Sequence, residues 1–295
     1  METSALSTGT WNTDWPAPAK LNLFLHIVGR RDDGYHLLQT VFRFIDLADT
    51  LRFSPRDDGE IILATPTPGV PPEQDLTVRA AHLLRQASGY IGGVTIQLEK
   101  RLPMGGGLGG GSSDAATVLL ALNHLWQTGL SRKQLETLGL SLGADVPVFI
   151  HGHNTFAEGV GERFTDIDLP AQAYLVVQPA VHVPTAAIFS APELCRNTPQ
   201  IAAEHWQAGQ GHNDLQPVAC RLFPEVARAL AWLSAHLPGA MMTGSGACIF
   251  APVSDTASAR QLISTLPEGM RGWLTKGLDM HPLANIFQKD WISSQ

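Results

Sequence analysis

Residues 102–114 read Leu-Pro-Met-Gly-Gly-Gly-Leu-Gly-Gly-Gly-Ser-Ser-Asp, and six of the seven positions from Gly105 to Gly111 are glycine. Before this run, Val94 to Lys100 alternates apolar and polar residues with the period of a strand. After it, Ala115, Val118, Leu119, Leu122, Leu125 and Trp126 recur at helical spacing, which predicts a helix to about Gln127. A glycine run between strand and helix is an anion cradle. Bare backbone approaches a phosphate closely, successive N–H groups converge on it, and the helix N-terminus adds about half a positive charge. The Ser112 and Ser113 hydroxyls add hydrogen bonds to an anion or cap the helix. The run is not a P-loop, because no lysine follows the glycines, and so many glycines satisfy any dinucleotide template trivially. A flexible linker is the bland alternative, and the flanking strand and helix disfavour it.

Upstream, Leu21, Leu23, Leu25 and Ile27 alternate, which places Lys20, Asn22, Phe24 and His26 together on the opposite face of a strand. Leu37–Leu47 is a second strand, and the four prolines between Pro66 and Pro72 mark a loop. Asp75 caps a helix running to about Ser88. Downstream, Ser131 and Gln134 form a capping box for a helix that stops at Gly143. Further strands are expected at Tyr174–Gln178 and Ala247–Val253, and further helices at Pro224–His236 and Ser258–Leu266. Residues 1–15 are polar and read as a loose arm. Strands and helices interleave without a βαβ cadence, so the class is α+β, with two domains meeting near residue 160, 1–160 and 161–295. No internal repeat is visible.

With 295 residues, 44% of them hydrophobic and 16% charged, the chain has ample material for a core and is not globally disordered. The 27 acidic residues exceed the 20 Lys and Arg, for a net charge of -7, which argues against non-specific nucleic-acid binding. Cys195, Cys220 and Cys248 are too far apart for a C-x-x-C pair and read as reduced, buried or half-buried thiols. Met1 to Pro18 lacks the features of a secretory signal, and no stretch reaches the roughly 20 apolar residues of a membrane span. The expectation is a cytoplasmic protein with neither nucleic-acid nor membrane partners.

Two more segments stand out: Pro16-Ala-Pro-Ala-Lys20-Leu-Asn22-Leu23 and Leu142-Gly-Ala-Asp145-Val-Pro-Val-Phe149. Taken singly, each is ordinary. Together with Pro103-Met-Gly-Gly-Gly-Leu108-Gly-Gly-Gly-Ser112-Ser113-Asp-Ala115 they resemble the galactokinase, homoserine kinase, mevalonate kinase and phosphomevalonate kinase (GHMP) superfamily. Arg31-Asp-Asp-Gly-Tyr-His36, Phe156-Ala-Glu-Gly-Val-Gly-Glu162 and Thr243-Gly-Ser-Gly-Ala-Cys248 narrow the resemblance to one branch. That branch phosphorylates the 2-hydroxyl of 4-diphosphocytidyl-2-C-methyl-D-erythritol in non-mevalonate isoprenoid biosynthesis. The resemblance follows nearly the whole chain in order.

The resemblance implies an N-terminal domain of the ribosomal-protein-S5 domain 2 type, a ferredoxin-like C-terminal domain, and an active site in the cleft between them. It implies Asp145 as catalytic base and Lys20 as its partner, a carboxylate accepting the proton of the attacking alcohol beside an ammonium that keeps it ionised. It implies ATP as co-substrate, held by Pro103, Met104, Gly105, Gly106, Gly107, Leu108, Gly109, Gly110, Gly111, Ser112 and Ser113. Lys100 contacts the nucleotide phosphates or is a strand-end cation, with the former preferred. Asn22 resembles a substrate-positioning residue, and Tyr35, His36 and Phe189 a cytidine pocket, though apolar filling is the plain alternative for Phe189. Gly244 and Ser245 resemble a turn closing over the phosphates, or form a simple hairpin turn.

Phosphoryl transfer from ATP generally needs Mg2+. Asp114, with Ser112 or Ser113, is a candidate ligand, though Asp114 at a helix start also favours the dipole, and the metal ligands stay unassigned. His151 and His153 lack a third ligand at a usual spacing for a transition metal. The expected partners are small molecules alone, with the protein a monomer or weak homodimer. The rival readings are another superfamily kinase acting on a simple alcohol and a nucleotide-binding regulator without turnover.

Overall fold

The computed structural model describes residues 10–284. A long hairpin starts the fold: β1 (Trp15–Arg30) and β2 (His36–Arg56) pair antiparallel from Trp15 opposite Leu51 to Arg30 opposite His36. The first half continues with β3 (Ile61–Leu63), α1 (Leu76–Ser88), β4 (Gly93–Glu99), α2 (Gly110–Leu125), α3 (Arg132–Leu142), α4 (Val146–His151), β5 (Thr155–Glu158) and β6 (Arg163–Asp166). Its sheet runs β3-β4-β2-β5-β6, with β1 added on β2, and β3 and β4 are the parallel pair. The second half holds β7 (Ala173–Pro179), α5 (Thr185–Phe189), α6 (Gln216–Leu222), α7 (Pro224–His236), β8 (Met241–Met242), β9 (Ile249–Val253), α8 (Thr256–Ser264) and β10 (Met270–Lys276). Its antiparallel order β10-β7-β9-β8 is fourth, first, third, second, the ferredoxin-like arrangement.

Local chemistry sets several boundaries. The Asp75 carboxylate accepts from Thr77 N–H at 2.9 Å and starts α1, which Gly89 ends in the left-handed region. Ser131 and Gln134 form a full capping box on α3. The helix after the glycines is not amphipathic as its spacing suggested: every residue from Ser113 to Asn123 is buried. It packs on β1 and β2 and is flanked by α1, α3 and α4. A helix buried on all sides is apolar all round.

Among the described residues, four apolar clusters form the interior. One lies between the first sheet and α1–α4, and one between the second sheet and α5–α8. A third, with Ala19, Leu21, Ile45, Leu102, Leu108, Tyr174, Val176, Cys248 and Phe250, joins the halves through an apolar seam. Strand β1 serves both sides, since Leu25 and Ile27 belong to the core of the second half and Leu25 bridges to Asn213.

The structure corrects several expectations. The arm read over residues 1–15 lies in part outside the described residues, but Trp15 is fully buried and begins β1. Pro16 and Pro18 are tolerated there because, among the described residues, that end of β1 pairs with β2 alone. Lys20, Asn22, Phe24 and His26 do not share a face. Between Asn22 and Leu25 the register slips, with Asn22 opposite Phe42 and Leu25 opposite Thr40. The extra residue of this bulge turns Leu25 onto the face of Lys20 and Asn22 and sends Phe24 to a separate cluster with Val41, Phe156 and Trp206. Strand β2 extends to Arg56, well past Leu47. Cys195 is exposed rather than buried; Cys220 is intermediate, and burial pushes the Cys248 thiol up to about 12.

Candidate active site

The glycine loop is held on both sides by backbone. Lys20 N–H donates to Leu108 O at 3.0 Å and Cys248 N–H to Gly106 O at 3.1 Å, so the loop lies between β1 and the turn before β9. Gly107 has φ +75°, and a Cβ there would fall 2.1 Å from Thr243 O; Gly109 has φ +74° and caps α2 with no side-chain hydrogen bond. Helix α2 therefore begins at Gly110, and neither serine caps it. Ser112 and Ser113 sit inside its first turn, with the Ser113 hydroxyl buried and unpartnered.

Two cavities meet at this loop. A groove of about 420 Å³ runs along Lys100, Pro103–Ser112 and Asp114, bordered by Thr67, Gln74 and Thr77. A cleft of about 880 Å³ lies between the halves and is lined by Lys20, Asn22, Tyr35, His36, Asp145, Phe189, Gly244 and Ser245 among others. Gly105, Gly107 and Ser112 line both, so a linear phosphate chain in the groove would end in the cleft.

Lys20 and Asp145 stand at that junction. Lys20, only 2% exposed, places Nζ 3.2 Å from Asp145 Oδ2, and the Asp145 side chain is 38% exposed toward the cleft. Asp145 immediately precedes α4, an element absent from the sequence expectations, with Pro147 in its first turn. The ammonium donates to Asn22 Oδ1 at 2.6 Å and lies 5.4 Å from the centroid of the Phe42 ring. Asn22 Nδ2 donates to Thr40 Oγ1 at 2.9 Å, and its backbone N–H donates to Thr243 Oγ1 at 3.0 Å. Each member of this chain is held by a neighbour, so the ammonium and carboxylate are set in place before any substrate arrives.

Lys100 lines the groove, with its ammonium between two carboxylates: 2.5 Å from Asp49 Oδ2 and 2.7 Å from Asp114 Oδ2. Asp49 also accepts from the backbone N–H groups of Arg101 and Leu102, at 2.5 and 2.7 Å, and so pins the chain where it enters the glycine loop. Burial opposes the Lys100 charge, but Asp114 and Asp49 outweigh it and raise its pKa. For Asp114, burial is the largest cause; Lys100 pulls down, Asp49 pushes up, and the carboxyl reaches about 7. Asp114 Oδ1 is buried without a partner.

At the far end of the cleft Tyr35 is 65% exposed, and the rings of His36 and Phe189 lie 5.0 Å apart. Burial, then Arg196 and Arg30, hold the His36 pKa below its ordinary value. Ser245 Oγ is 2.8 Å from Thr185 Oγ1, so the turn carrying Gly244 and Ser245 touches the start of α5. His151 lies outside both cavities, bonded to Asp166 and facing Glu136 at 3.5 Å. Among the described residues no three His, Cys, Asp or Glu side chains are grouped to hold a metal ion, and no helix is long and apolar enough to cross a membrane.

Sequence reasoning missed Asp49, Thr40, Thr243 and Arg196. An aspartate amid the apolar residues of Phe44–Leu51 was a usable signal for Asp49, since a buried acid needs partners. Thr243 opens the quoted Thr243–Cys248 segment, though with no role assigned to it, and nothing local marks Thr40 or Arg196.

The GHMP kinases N terminal domain family matches residues 75–153, and the GHMP kinases C terminal family matches residues 191–272. A 4-diphosphocytidyl-2-C-methyl-D-erythritol kinase of Dechloromonas aromatica is 71% identical over 272 residues, covering 92% of this chain and 99% of that protein. One from Thiobacillus denitrificans is 60% identical over 269 residues, 91% of this chain and 96% of that protein. A crystal structure of a 4-(cytidine 5'-diphospho)-2C-methyl-D-erythritol kinase superposes with TM-score 0.79 at 38% identity, covering 90% of this chain and all of that one. A mevalonate kinase of Methanococcus jannaschii shares the fold at TM-score 0.67 and 16% identity, over 92% of this chain and 99% of that one.

Proposed function

The chain belongs to the GHMP kinase family, in its 4-diphosphocytidyl-2-C-methyl-D-erythritol kinase branch, and from that premise we propose how its cleft moves a phosphoryl group. The reaction is transfer of the γ-phosphoryl of ATP to the 2-hydroxyl of 4-diphosphocytidyl-2-C-methyl-D-erythritol, a step of non-mevalonate isoprenoid synthesis. The observation that carries the reading is the junction of groove and cleft at Gly105, Gly107 and Ser112, with Lys20 and Asp145 beside it.

ATP lies in the groove, its phosphates against the backbone N–H groups of the glycine loop and the first turn of α2. The acceptor lies in the cleft, with its base between Tyr35 and Phe189 and its hydroxyl at Asp145. As the hydroxyl oxygen bonds to the γ-phosphorus, its proton passes to the Asp145 carboxylate and the bond to the bridging oxygen breaks, leaving ADP. Lys20 steadies the Asp145 carboxylate from 3.2 Å and offsets charge on the phosphoryl oxygens, while Asn22 and Thr243 hold Lys20 in place. Mg2+ suits the groove: Asp114, whose Oδ1 has no partner, and Ser112 line it and would hold the ion through hard oxygens. The ion would supply neutralisation of the phosphate charge. A cytoplasmic setting, where ATP is abundant, fits this chemistry.

The test is ADP release from ATP with the cytidyl substrate, set against mevalonate and homoserine. Turnover with the cytidyl substrate alone is expected; a simple alcohol turned over equally well would overturn the assignment.

A further inference from the structure

We propose that Arg196 is a positioning residue that selects the base in the cleft, by fixing the imidazole proton of His36 on Nδ1. The inference rests on reading Tyr35, His36 and Phe189 as the base site. Arg196 lies between α5 and α6, outside any helix or strand. Its Nη1 donates to Leu194 O at 2.9 Å, and its Nη2 donates to Phe189 O at 3.1 Å and Ala191 O at 2.8 Å. These carbonyls hold the guanidinium on the second half of the molecule. Its Nε then reaches across to His36 Nε2 at 3.1 Å, at the first residue of β2 in the other half.

A guanidinium has donors and no acceptor, and it does not deprotonate in proteins. His36 Nε2 must therefore be the acceptor, and the single proton of the neutral ring is on Nδ1. Burial first, then Arg196 from the 190–199 segment and Arg30 from the end of β1, all lower the ring's proton affinity. Arg30 is itself tied to the turn before His36, through Nε to Gly34 O at 3.1 Å. Phe189 covers the ring from α5. The result is one directed donor in a cleft whose walls are the two halves of the protein.

A fixed donor is a discriminating group. Cytosine presents an acceptor at N3, whereas uracil carries a hydrogen there and would set donor against donor. A site built around such a bond rejects a base that cannot complete it by at least about tenfold. An imidazole freed from Arg196 shares its proton between both nitrogens and loses part of that preference.

Steady-state kinetics would measure wild type and Arg196→Gln from pH 6 to 8 with the cytidyl substrate and its uridine-diphosphate-linked counterpart. Wild type is expected to prefer the cytidyl substrate with a KM flat in pH. Arg196→Gln should raise that KM about tenfold at pH 8, with kcat and the KM for ATP within about twofold. The deficit should shrink toward pH 6, because an imidazolium carries a proton on Nδ1 whatever Nε2 does. A variant KM equal to wild type, or a deficit that ignores pH, overturns the proposal while leaving the base site intact. A wild type with no base preference overturns the base-site reading instead, and this inference with it. Should the variant fail to fold, 15N spectra of histidine-labelled wild type decide the matter, with His36 identified by its loss in His36→Asn. A proton on Nδ1 with bare Nε2 supports the proposal, and the reverse tautomer overturns it.

Discussion

Two lysines flank the glycine loop, each facing aspartate, and they are built as opposites. At the cleft the cation is buried and its acid open: Lys20 is 2% exposed and Asp145 38%. At the groove the cation is the more open partner, at 22%, and the acids are sealed, Asp49 at 0% and Asp114 at 3%. One lysine and one aspartate cancel, whereas one lysine and two aspartates leave a charge over. The first arrangement opens a carboxylate to the cleft, where the proposed reaction uses it as the base. The second spends its carboxylates on Lys100 and on two backbone N–H groups, and so anchors the loop. The same residue types thus make a working site or a foundation according to which member meets solvent.

The contrast predicts unlike failures. Asp145→Ala should lower turnover by about 10²–10⁴ while nucleotide binding, followed by titration with a fluorescent ATP analogue, stays close to wild type. Turnover within tenfold of wild type would dissolve the distinction from the cleft side. Asp49→Ala should do the reverse. It leaves Lys100 paired with Asp114 alone and takes the acceptor from the Arg101 and Leu102 N–H groups, so denaturant unfolding should show a loss of about 2 kcal/mol and the KM for ATP should rise more than kcat falls. An unaltered midpoint would show that the groove cluster anchors nothing.

Asp114 gives a subtler test. Its folded pKa of about 7 lies above the unfolded value, so the native state binds the extra proton. Stability from this group is full below the unfolded pKa and is lost as pH rises through about 7. In chelator, without nucleotide, wild type should lose stability between pH 5 and 7 with a slope of up to about 1.4 kcal/mol per pH unit, and Asp114→Asn should flatten it. Equal slopes for the two proteins would show that the leftover charge has no titratable home. Gly111→Ala marks the zero of the scale. Gly111 sits in the first turn of α2, and an added Cβ meets nothing nearer than Leu76 Cδ1 at 3.7 Å. Without nucleotide, stability should rise by about 0.5 kcal/mol, checked by thermal melting.

The cleft side of this comparison was legible in the sequence and the groove side was only half so. Lys20, Asp145 and the glycines stand in short contiguous segments whose chemistry is local: a strand, a loop, a helix start. Asp49 acts on residues 51 to 53 positions away, and Arg196 on a histidine 160 positions away. Such roles are created by strand pairing and by the meeting of the halves, which no local pattern records. The bulge after Asn22 is a similar case. Alternation carried through it predicted Phe24 and His26 on the face of Lys20 and Asn22, whereas one extra residue brought Leu25 there instead.

Strand β1 carries Lys20 and Asn22 at the cleft and then, after the bulge, supplies Leu25 and Ile27 to the interior of the second half. A chain severed between Asp166 and Ala173 would therefore yield a C-terminal piece with two slots in its hydrophobic centre, matched only by the N-terminal piece. Co-expressed, the two pieces should find each other through that strand, and because the same strand bears the lysine, reassembly and recovered turnover would be one event.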